Sequence, residues 1–580
     1  MPKIDVNEEV FYALAGKRWT SKEEFEEALV CAKAELDSGF DSSENEDGER
    51  ILKIELNDTN RPDLWSTAGC ARQLRVHNGG KAPVYPFFSR SGTLKKTDHK
   101  VLVEKTVSKV RPFIAGFIAK GKAITDPMLR DMIQTQEKLA WNFGRKRRSM
   151  SMGLYRTAII KWPIIYKGVN PDSVSFVPLQ WEGKLTLREI LRQHPKGKEY
   201  AFIQEHEPIH PLLTDSTGAV LSYPPIINSA DLGAVQVGDS EIFVELTGTD
   251  QPTVTLATSI IACDLADNGF TIEPVEVVYE YDTPLGKSCV TPFYFQEPVF
   301  CSLERVEKIL GEKLSSNDCL AALAKMGVKA ERAVDAEKGS QAKVEGIRAW
   351  PPEYRNDFLH AVDVMEDVMI GRGLKSFKPE RSRDFTIGRL TPLTYFSRRV
   401  KELMTGLGYQ EMIYNYLGSR KDFVENMRGK GEDIIRISNP MTENFEYVRD
   451  GIMASLFISE SVSGHAVYPH KIFEVGKVAY KDENDNYGAI TRQYLGFLQA
   501  EKDANYNTAA AQIQTVFYYL SREFDVEESD DTRFISGRAA SVLYKGKRIG
   551  VFGEVHPELL ENFGLYMPCT AAEIDIEALL

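Results

Sequence analysis

Residues 355–379 read RNDFLHAVDVMEDVMIGRGLKSFKP, a stretch that combines a helix signal with four carboxylates. These are Asp357, Asp363, Glu366 and Asp367. A helix that begins near residue 358 would place the last three on one face and the first at its N-cap. With no lysine on that face, the carboxylates would repel one another unless a cation, a partner's basic groups or open water compensates them, and clustered carboxylates favour magnesium or calcium over zinc. The stretch therefore predicts an Mg²⁺ site; the alternative is a solvated acidic first turn that complements the helix dipole.

The same stretch resembles the R-x-D-x-x-H-x-x-D-x-x-E-D-V pattern of the phenylalanine–tRNA ligase beta subunit family. The resemblance implies that the four acids bind magnesium near the contact with an alpha subunit. A second segment, NRPDLWSTAGCAR at residues 60–72, resembles the N-R-P-D-L-x-S-x-x-G-x-A-R pattern of that family. The two matches are independent of each other, which strengthens the family expectation.

Composition restricts the class of protein. A chain of 580 residues with 43% hydrophobic and 27% charged residues is long enough for several domains. It has neither an apolar run of membrane-spanning length nor a secretory signal pattern, so we expect a cytoplasmic protein without a membrane partner. The seven cysteines are scattered without a C-x-x-C pair, which favours reduced buried thiols over a zinc site or a disulfide framework.

A net charge of −13 excludes a protein that coats nucleic acid by bulk electrostatics, so any RNA contact must be local. The segment NFGRKRRSMSMGLYR at residues 142–156 interleaves basic and aromatic residues, a combination suited to phosphates and unpaired bases. The alternatives are a solvated loop or a patch that docks on an acidic partner surface.

The first 85 residues divide into three parts. SKEEFEEALVCAKAEL at residues 21–36 is predicted to be helical, and DSSENEDGE at residues 41–49 is predicted to be a flexible linker. Then ILKIELN alternates as a strand, and LWSTAGCARQLR is predicted to form a helix that ends at Gly79 and Gly80. The parts together form one small domain.

From about Pro86 to Pro274, short alternating segments with glycine and proline predict a mixed domain with a substantial sheet. LLTDSTGAVLSYPPIINSADLGAV and IFVELTGTD resemble the editing domain of the archaeal and eukaryotic form of the family, in which mischarged tyrosyl-tRNA is hydrolysed. The resemblance implies a pocket of Leu213, Ser222, Asn228, Glu245 and Thr247. An aminoacyl ester is already activated, so a positioned water and polar groups that stabilise the oxyanion can suffice. The alternative is a simple turn at SYPPIINS and a strand-edge charge at Glu245.

One residue departs from the family pattern of this domain. Arg156 stands where family members often carry an aspartate, so a role for that carboxylate is in doubt. The next segment, residues 302–327, is predicted to form two short helices. A helix-turn-helix that binds DNA is one interpretation, but the second helix lacks side chains suited to reading base edges, so we expect no DNA contact.

The last 200 residues, from about Phe385 to Leu580, resemble the class II aminoacyl-tRNA synthetase fold, an antiparallel sheet with flanking helices. The matching segments are RISNPMTENFEYVRDGIMASLF, HKIFEVGKVAY and GEVHPELLENFGL. No arginine follows Arg548, so the arginine that holds ATP phosphates in active class II enzymes is missing. The resemblance therefore implies a non-catalytic copy, with ATP and phenylalanine bound mainly by the alpha subunit of an alpha-2 beta-2 tetramer.

These observations predict an α+β multidomain chain with domains at residues 1–85, 86–275, 276–375 and 376–580. The first is a small α/β domain, the second an editing domain with a mixed sheet, the third a helical module with the acidic helix, and the fourth the class II-like copy. The expected function is that of the beta subunit of phenylalanine–tRNA ligase in the compact form of archaea and eukaryotes, as the length and the editing segment indicate. This subunit charges tRNA-Phe together with the alpha subunit and hydrolyses Tyr-tRNA-Phe. The expected cofactor is Mg²⁺. Two alternatives are a non-enzymatic scaffold with a decayed pocket and a free-standing deacylase.

Overall fold

Alternating apolar residues form strands where the sequence predicts them. In β3 (Ile51–Leu56), Leu52, Ile54 and Leu56 are buried while the residues between them point outward. The computed structural model describes residues 2–40, 44–45, 48–57, 60–336 and 342–580, so most of the predicted acidic linker lies outside the described residues. The chain is a mixed α+β multidomain protein that divides into two units, Met1–Glu380 and Arg381–Leu580.

The first unit contains ten named helices within the described residues. They are α1 (Glu8–Ala15), α2 (Lys22–Leu29), α3 (Thr67–His77), α4 (Asp126–Lys138), α5 (Leu187–Gln193), α6 (Pro195–Tyr200), α7 (Gln251–Asp267), α8 (Leu303–Leu310), α9 (Ser316–Lys325) and α10 (Ala361–Arg372). Its strands, apart from β3, are β1 (Lys3–Asn7), β2 (Ala34–Ser38), β4 (Lys100–Val103), β5 (Phe113–Lys120), β6 (Met150–Arg156), β7 (Ile164–Val169), β8 (Ser175–Phe176), β9 (Leu185–Thr186), β10 (His210–Thr214), β11 (Val220–Tyr223), β12 (Ile227–Asn228), β13 (Glu241–Gly248), β14 (Thr271–Tyr279), β15 (Ser288–Thr291), β16 (Val299–Ser302), β17 (Lys329–Ala336) and β18 (Lys343–Trp350).

The large sheet of this unit has the strand order β12-β11-β10-β7-β4-β14-β5-β13-β6, with β15 paired to β14. It is mixed, because β4 runs parallel to both β7 and β14. Helix α7 is buried on nearly all sides and packs against β5 and β13. Strand β13 thus lies between β5 and β6 in the sheet with a buried helix against it, which holds its side chains in fixed directions. The two short helices predicted in residues 302–327 are α8 and α9.

Two predicted helices differ from the structure in their bounds. Helix α2 ends at Leu29, and Ala34–Ser38 forms β2, because pairing with β3 outweighs the helical pattern of that segment. Helix α10 begins at Ala361, so the prediction of a start near residue 358 with Asp357 at the N-cap is wrong. His360 is the N-cap, and the carboxylate of Asp363, at the third helical position, accepts the His360 backbone N–H at 2.6 Å.

The second unit contains α11 (Pro392–Gly406), α12 (Met453–Ser461), α13 (Tyr506–Leu520) and α14 (Pro557–Asn562). Its strands are β19 (Gln410–Glu411), β20 (Leu417–Gly418), β21 (Ile435–Arg436), β22 (Tyr447–Val448), β23 (His470–Lys481), β24 (Ala489–Ala500), β25 (Asp525–Glu528), β26 (Phe534–Tyr544), β27 (Lys547–Val555) and β28 (Cys569–Asp575). The main sheet has the order β19-β23-β24-β28-β27-β26-β25 and is antiparallel except for the parallel β19–β23 pair.

Two apolar clusters pack within the second unit, and residues of β23, β24 and β28 contribute to both of them. All seven cysteines of the chain are buried. Across the described residues, no helix is both long and apolar enough to span a membrane.

Candidate functional site

A cavity of about 430 Å³ opens beside β6, β11 and β13 in the first unit. Three of the five predicted pocket residues line it: Ser222, Asn228 and Glu245. The remainder of the wall is mixed, with aliphatic side chains from α4 and the Pro224–Pro225 turn after β11. A cavity of this size with a few converging polar groups is typical of a small-ligand site.

Glu245 is the buried acid of this cavity. Its neighbours across the sheet are Gly153 on β6 and Gly116 on β5, which leave space for the carboxylate. A Cβ at Gly153 would lie 2.7 Å from Glu245 Oε2 and 2.2 Å from the Tyr155 hydroxyl, so only glycine fits there. Burial raises the pKa of Glu245 to about 7, although the Tyr155 hydrogen bond and the nearby Arg111 charge act in the opposite direction.

Leu213, Ser222 and Asn228 lie in one row across the sheet, since Ser222 pairs with Leu213 on β10 and with Asn228 on β12. Leu213 is fully buried in the core beneath this row and does not line the cavity. The Asn228 amide donates to the Gly233 carbonyl at 3.3 Å, which holds that side chain at the edge of the cavity. The row therefore presents one hydroxyl and one amide on an apolar support.

Thr247 also stays outside the cavity lining and contacts Arg111 instead. The fully buried Arg111 guanidinium donates to Thr247 Oγ1 at 3.0 Å and to Ser151 Oγ at 3.0 Å. It also donates to the backbone carbonyls of Arg147 and Arg148, at 3.2 and 3.1 Å. Thr247 thus belongs to a polar network that joins β13 to the basic segment. Sequence reasoning missed Arg111, because it lies 136 residues from Thr247 and no local pattern marks it.

The basic segment forms a tight turn at the rim of the cavity. Arg145, Lys146 and Arg147 all have positive φ, at 51°, 55° and 66°. Arg147 donates to the carbonyls of Pro225 and Ile226 and lines the cavity. The side chains of Arg145, Lys146 and Arg148 are exposed. Consecutive left-handed residues other than glycine are strained, and such strain concentrates at functional sites.

Arg156, which replaces a family aspartate, donates to Asp239 at 3.1 Å and does not line the cavity. Tyr155, one residue earlier, is fully buried and does line it. The tyrosine was not selected from the sequence, although its position two residues after Gly153 puts both on the same face of β6.

The four acids of the first quoted stretch do not come together around one point. Arg355, which opens that stretch, donates to Asp357 at 2.9 and 2.6 Å and to Asp367 at 2.5 and 3.1 Å. Burial alone would raise the pKa of Asp357, but the Arg355 guanidinium outweighs it and lowers the pKa to about 2. The compensating cation for these two carboxylates is thus part of the chain.

The other two acids have different partners. Asp363 accepts the backbone N–H groups of Leu359 and His360, and Glu366 pairs with Lys33 at 2.9 Å. Within the described ranges, no group of three or more histidine, cysteine or acidic side chains is placed to hold a metal ion. The four carboxylates thus have different partners within the chain, and their role as Mg²⁺ ligands stays a prediction.

The second quoted motif, residues 60–72, lies beside the first within the same unit. Arg61 is buried and forms a two-bond pair with Asp63, while Arg72 pairs with Asp267 and stacks 4.0 Å from the Tyr354 ring. Gly69 is required because a Cβ there would lie 1.7 Å from the Asp63 carbonyl oxygen. Both motifs therefore contribute to buried arginine–carboxylate pairs within the first unit.

In the second unit, two arginines, Arg449 and Arg533, are paired with carboxylates of the same unit. Arg449 donates to Glu474 at 2.6 and 2.9 Å, and Arg533 donates to Asp531 and Glu573. The Glu573 carboxylate also accepts the Ile452 and Met453 N–H groups at the start of α12. An internal anion thus occupies the helix N-terminus, where a phosphate would otherwise bind.

Comparisons with known proteins agree over the whole chain. Residues 381–576 match the family model of the phenylalanyl tRNA synthetase beta chain CLM domain, and residues 299–374 match that of the tRNA synthetase B5 domain. The chain is 44% identical over 580 residues to the phenylalanine–tRNA ligase beta subunit of Borrelia hermsii, and 45% identical over 614 residues to that of Treponema pallidum, with full coverage of both chains in each case. The compact length is therefore shared with bacterial relatives and is not a mark of the archaeal and eukaryotic form.

A solved structure extends the similarity to the fold. The N-terminal fragment of the phenylalanyl-tRNA synthetase beta subunit from Pyrococcus horikoshii matches with a TM-score of 0.57 and 34% identity, over 64% of this chain and all of the fragment. With full-length relatives well above 30% identity, family membership is shown. The chain belongs to the family of phenylalanine–tRNA ligase beta subunits.

Proposed function

We propose that this chain works with an alpha subunit to attach phenylalanine to tRNA-Phe, and that its own cavity hydrolyses tyrosine attached to that tRNA by mistake. The observation that carries the editing part is Glu245, a buried carboxylate that lines a cavity of about 430 Å³ together with Ser222 and Asn228. An apolar pocket with a few polar groups discriminates weakly against a near-isostere that adds one hydroxyl, so a second hydrolytic site is the usual remedy.

The chemistry required of the cavity is modest. The acyl ester of an aminoacyl-tRNA is activated, so binding the amino acid and orienting a water molecule supply much of the rate. One oxygen of Glu245 accepts the Tyr155 hydroxyl, whereas its Oε1 is buried without a hydrogen-bond partner among the described residues. We assign that oxygen to the phenol or ammonium group of a bound tyrosyl moiety, because a buried unpaired carboxylate oxygen is costly until a donor satisfies it. Ser222 and Asn228 then supply hydrogen bonds to the ester or to water.

Adenylation is assigned to the partner. Arg449 and Arg533 are engaged by carboxylates, and Glu573 fills the N-terminus of α12, so these groups cannot hold a nucleotide phosphate without losing internal pairs. This arrangement supports a class II-like unit that does not bind ATP. The alpha subunit, the alpha-2 beta-2 stoichiometry, ATP binding and the cytoplasmic location stay predictions.

The basic turn is proposed to hold the acceptor end of the tRNA. Arg147 of this turn lines the cavity, and the neighbouring Arg145, Lys146 and Arg148 are exposed, so they are available to phosphates of a bound tRNA. Replacing Arg145 and Lys146 by glutamine should lower tRNA affinity and reduce the slope of log K against log salt by about one for each lost phosphate contact. An unchanged slope would contradict this assignment.

That the carboxylates of residues 357–367 bind Mg²⁺ stays a prediction. An ion at residues 357–367 would compete with Arg355 for Asp357 and Asp367, so it would need additional ligands from the alpha subunit. Metal analysis of the assembled enzyme, with wild type and Asp363→Ala compared, tests this. Loss of one Mg²⁺ per beta chain in the variant would support the site, and equal metal content would reject it.

The editing proposal is tested by Tyr-tRNA-Phe hydrolysis and phenylalanine charging, measured for this chain, for the alpha subunit and for the two together. We expect charging only with both chains, and hydrolysis that Glu245→Ala abolishes while charging persists. Glu241→Ala is the matched control, because Glu241 begins the same strand but pairs with Lys120 outside the cavity. If charging needs both chains and hydrolysis is absent, the chain is a structural partner. Parallel loss of both activities in Glu245→Ala would contradict the pocket assignment.

A further inference from the structure

Tyr155 joins two of the polar groups in the cavity. Its phenol oxygen lies 2.8 Å from Ser222 Oγ and 2.8 Å from Glu245 Oε2. The side chain is fully buried and lines the same cavity as its two partners. None of the three groups is adjacent in sequence, so the contact is produced by the packing of β6, β11 and β13.

A phenol carries a single proton, and this fixes how the three groups communicate. When Glu245 is ionised, the Tyr155 O–H must donate to the carboxylate, and the hydrogen bond that Tyr155 donates to Ser222 Oγ is given up. When Glu245 is protonated, its O–H is able to donate to Tyr155, and the tyrosine donates to Ser222. In the second arrangement Ser222 accepts a hydrogen bond from Tyr155, and its own O–H is available to donate to a group in the cavity.

We propose that Tyr155 is a positioning residue of the editing site, which links the protonation state of Glu245 to the hydrogen bond that Tyr155 donates to Ser222. It holds Glu245 by Oε2 and so leaves Oε1, which is buried without a partner among the described residues, for the ligand. The inference rests on the proposed function for its place in hydrolysis, but the coupling itself is a property of the free chain.

The surroundings of Glu245 favour such coupling. Gly153 and Gly116 face it from the neighbouring strands and contribute no charge. Arg111 and Tyr166 are the buried ionisable groups whose fields reach it besides Tyr155. Farther out, the cavity lining adds the side chains Glu137, Arg147 and Lys196. Burial raises the pKa of Glu245 to about 7, so both protonation states of Glu245, and with them both hydrogen-bonding arrangements, are populated near neutral pH.

Tyr155→Phe keeps the ring and removes only the hydroxyl. Tyr279→Phe is the matched control, because Tyr279 is buried in the same apolar cluster and also makes two hydrogen bonds through its hydroxyl, both to the Ile114 backbone, away from the cavity. Two readouts are compared in the assembled enzyme: the pH profile of Tyr-tRNA-Phe hydrolysis between pH 5.5 and 8.5, as about the range that spans the carboxyl, and phenylalanine charging. A third readout needs no substrate: the infrared carboxyl band of the free chain, assigned to Glu245 by its loss in Glu245→Gln.

For Tyr155→Phe we expect hydrolysis to fall about 10- to 100-fold, as for loss of a hydrogen bond to a charged group. The midpoint of the pH profile and that of the carboxyl band should both move upward, since the Tyr155 hydrogen bond lowers the pKa of Glu245. Charging should persist, and Tyr279→Phe should leave both midpoints in place.

An unchanged infrared midpoint in Tyr155→Phe would overturn the inference, whether or not hydrolysis is observed. An upward shift confined to Tyr155→Phe would support the coupling. Absence of hydrolysis by the wild-type enzyme would instead overturn the proposed editing function, and the infrared midpoints would still decide the coupling.

Discussion

Replacing Arg355 by methionine removes the cation that two buried carboxylates share while keeping most of the side-chain volume. Asp357 and Asp367 have side chains only 6% and 1% exposed, and both bind Arg355 with two hydrogen bonds. The variant would leave both carboxylates buried without their counter-charge. One cation shared by two carboxylates is thereby removed, and the two negative charges are left without a counter-charge.

The magnitude follows from burial and from the pKa of Asp357. Breaking one buried pair by removing a partner costs about 3–5 kcal/mol. The Asp357 carboxyl alone, with its pKa lowered from 3.8 to about 2, accounts for about 2 kcal/mol at neutral pH. Because the folded-state pKa is depressed, this contribution is fully present above pH ~4 and is lost as the pH falls through ~2. In Arg355→Met the cost should shrink on acidification, since the orphaned carboxylates take up protons.

Amide hydrogen exchange of α10 measures this locally, which matters because a chain of several domains has no single unfolding free energy. The control is Arg348→Met, which breaks the Arg348–Asp335 pair, whose side chains are 34% and 40% exposed, and should cost at most about 1 kcal/mol. If α10 opens no more readily in Arg355→Met than in Arg348→Met, the stability of α10 does not depend on the Arg355 ion pairs. A deficit that stays constant as the pH falls from 7 to about 4 would also refute the argument.

Three further outcomes are expected. Gly69→Ala should yield little soluble protein, because its Cβ would lie 1.7 Å from the Asp63 carbonyl oxygen, whereas Gly406→Ala meets open space and should leave expression and thermal unfolding unchanged. Arg111→Met should speed amide exchange at residues 145–149 and weaken hydrolysis while charging persists, since Arg111 holds that turn. Glu245→Gln should stabilise β13 at pH 8 relative to wild type by up to about 3 kcal/mol by amide exchange, because the raised pKa gives wild type a contribution present below pH ~4.5 and lost as the pH rises through ~7.

Local sequence patterns predicted the strands whose conformation follows from their own residues. The alternation of ILKIEL predicts a strand with one buried face, and IFVELTGTD also predicts a strand; both form strands, of which β13 is buried on both faces. Residues 34–36, which begin β2, are predicted to be helical because their pairing with β3 is a tertiary contact that no local period records. The start of α10 was placed three residues early, because the Asp363 carboxylate caps the backbone from inside the helix and Asp357 is bound by Arg355.

The family resemblance identified candidate site residues better than it identified the residues that support them. Ser222, Asn228 and Glu245 line one cavity as the resemblance implied, whereas Leu213 and Thr247 stand behind it. Supporting residues are invisible to motif reasoning because their partners are distant in sequence. Tyr155 reaches Glu245 across 90 residues. A signal was available in the glycine two residues before it, since glycine inside a strand often marks the close approach of another group.

The distribution of arginine partners indicates where an acidic protein is able to touch RNA. Arg449 and Arg533 in the second unit donate hydrogen bonds to carboxylates of the same unit. A phosphate that bound to either arginine would have to break these ion pairs. The turn at residues 145–148 differs, because its strain is held from inside by Arg111 while three cationic side chains remain exposed. With a net charge of −13, long-range attraction to RNA is weak, and binding must rest on such a local group. Salt should therefore weaken tRNA binding through few phosphate contacts, and neutralising this turn should remove a larger part of that dependence than neutralising Arg449 or Arg533.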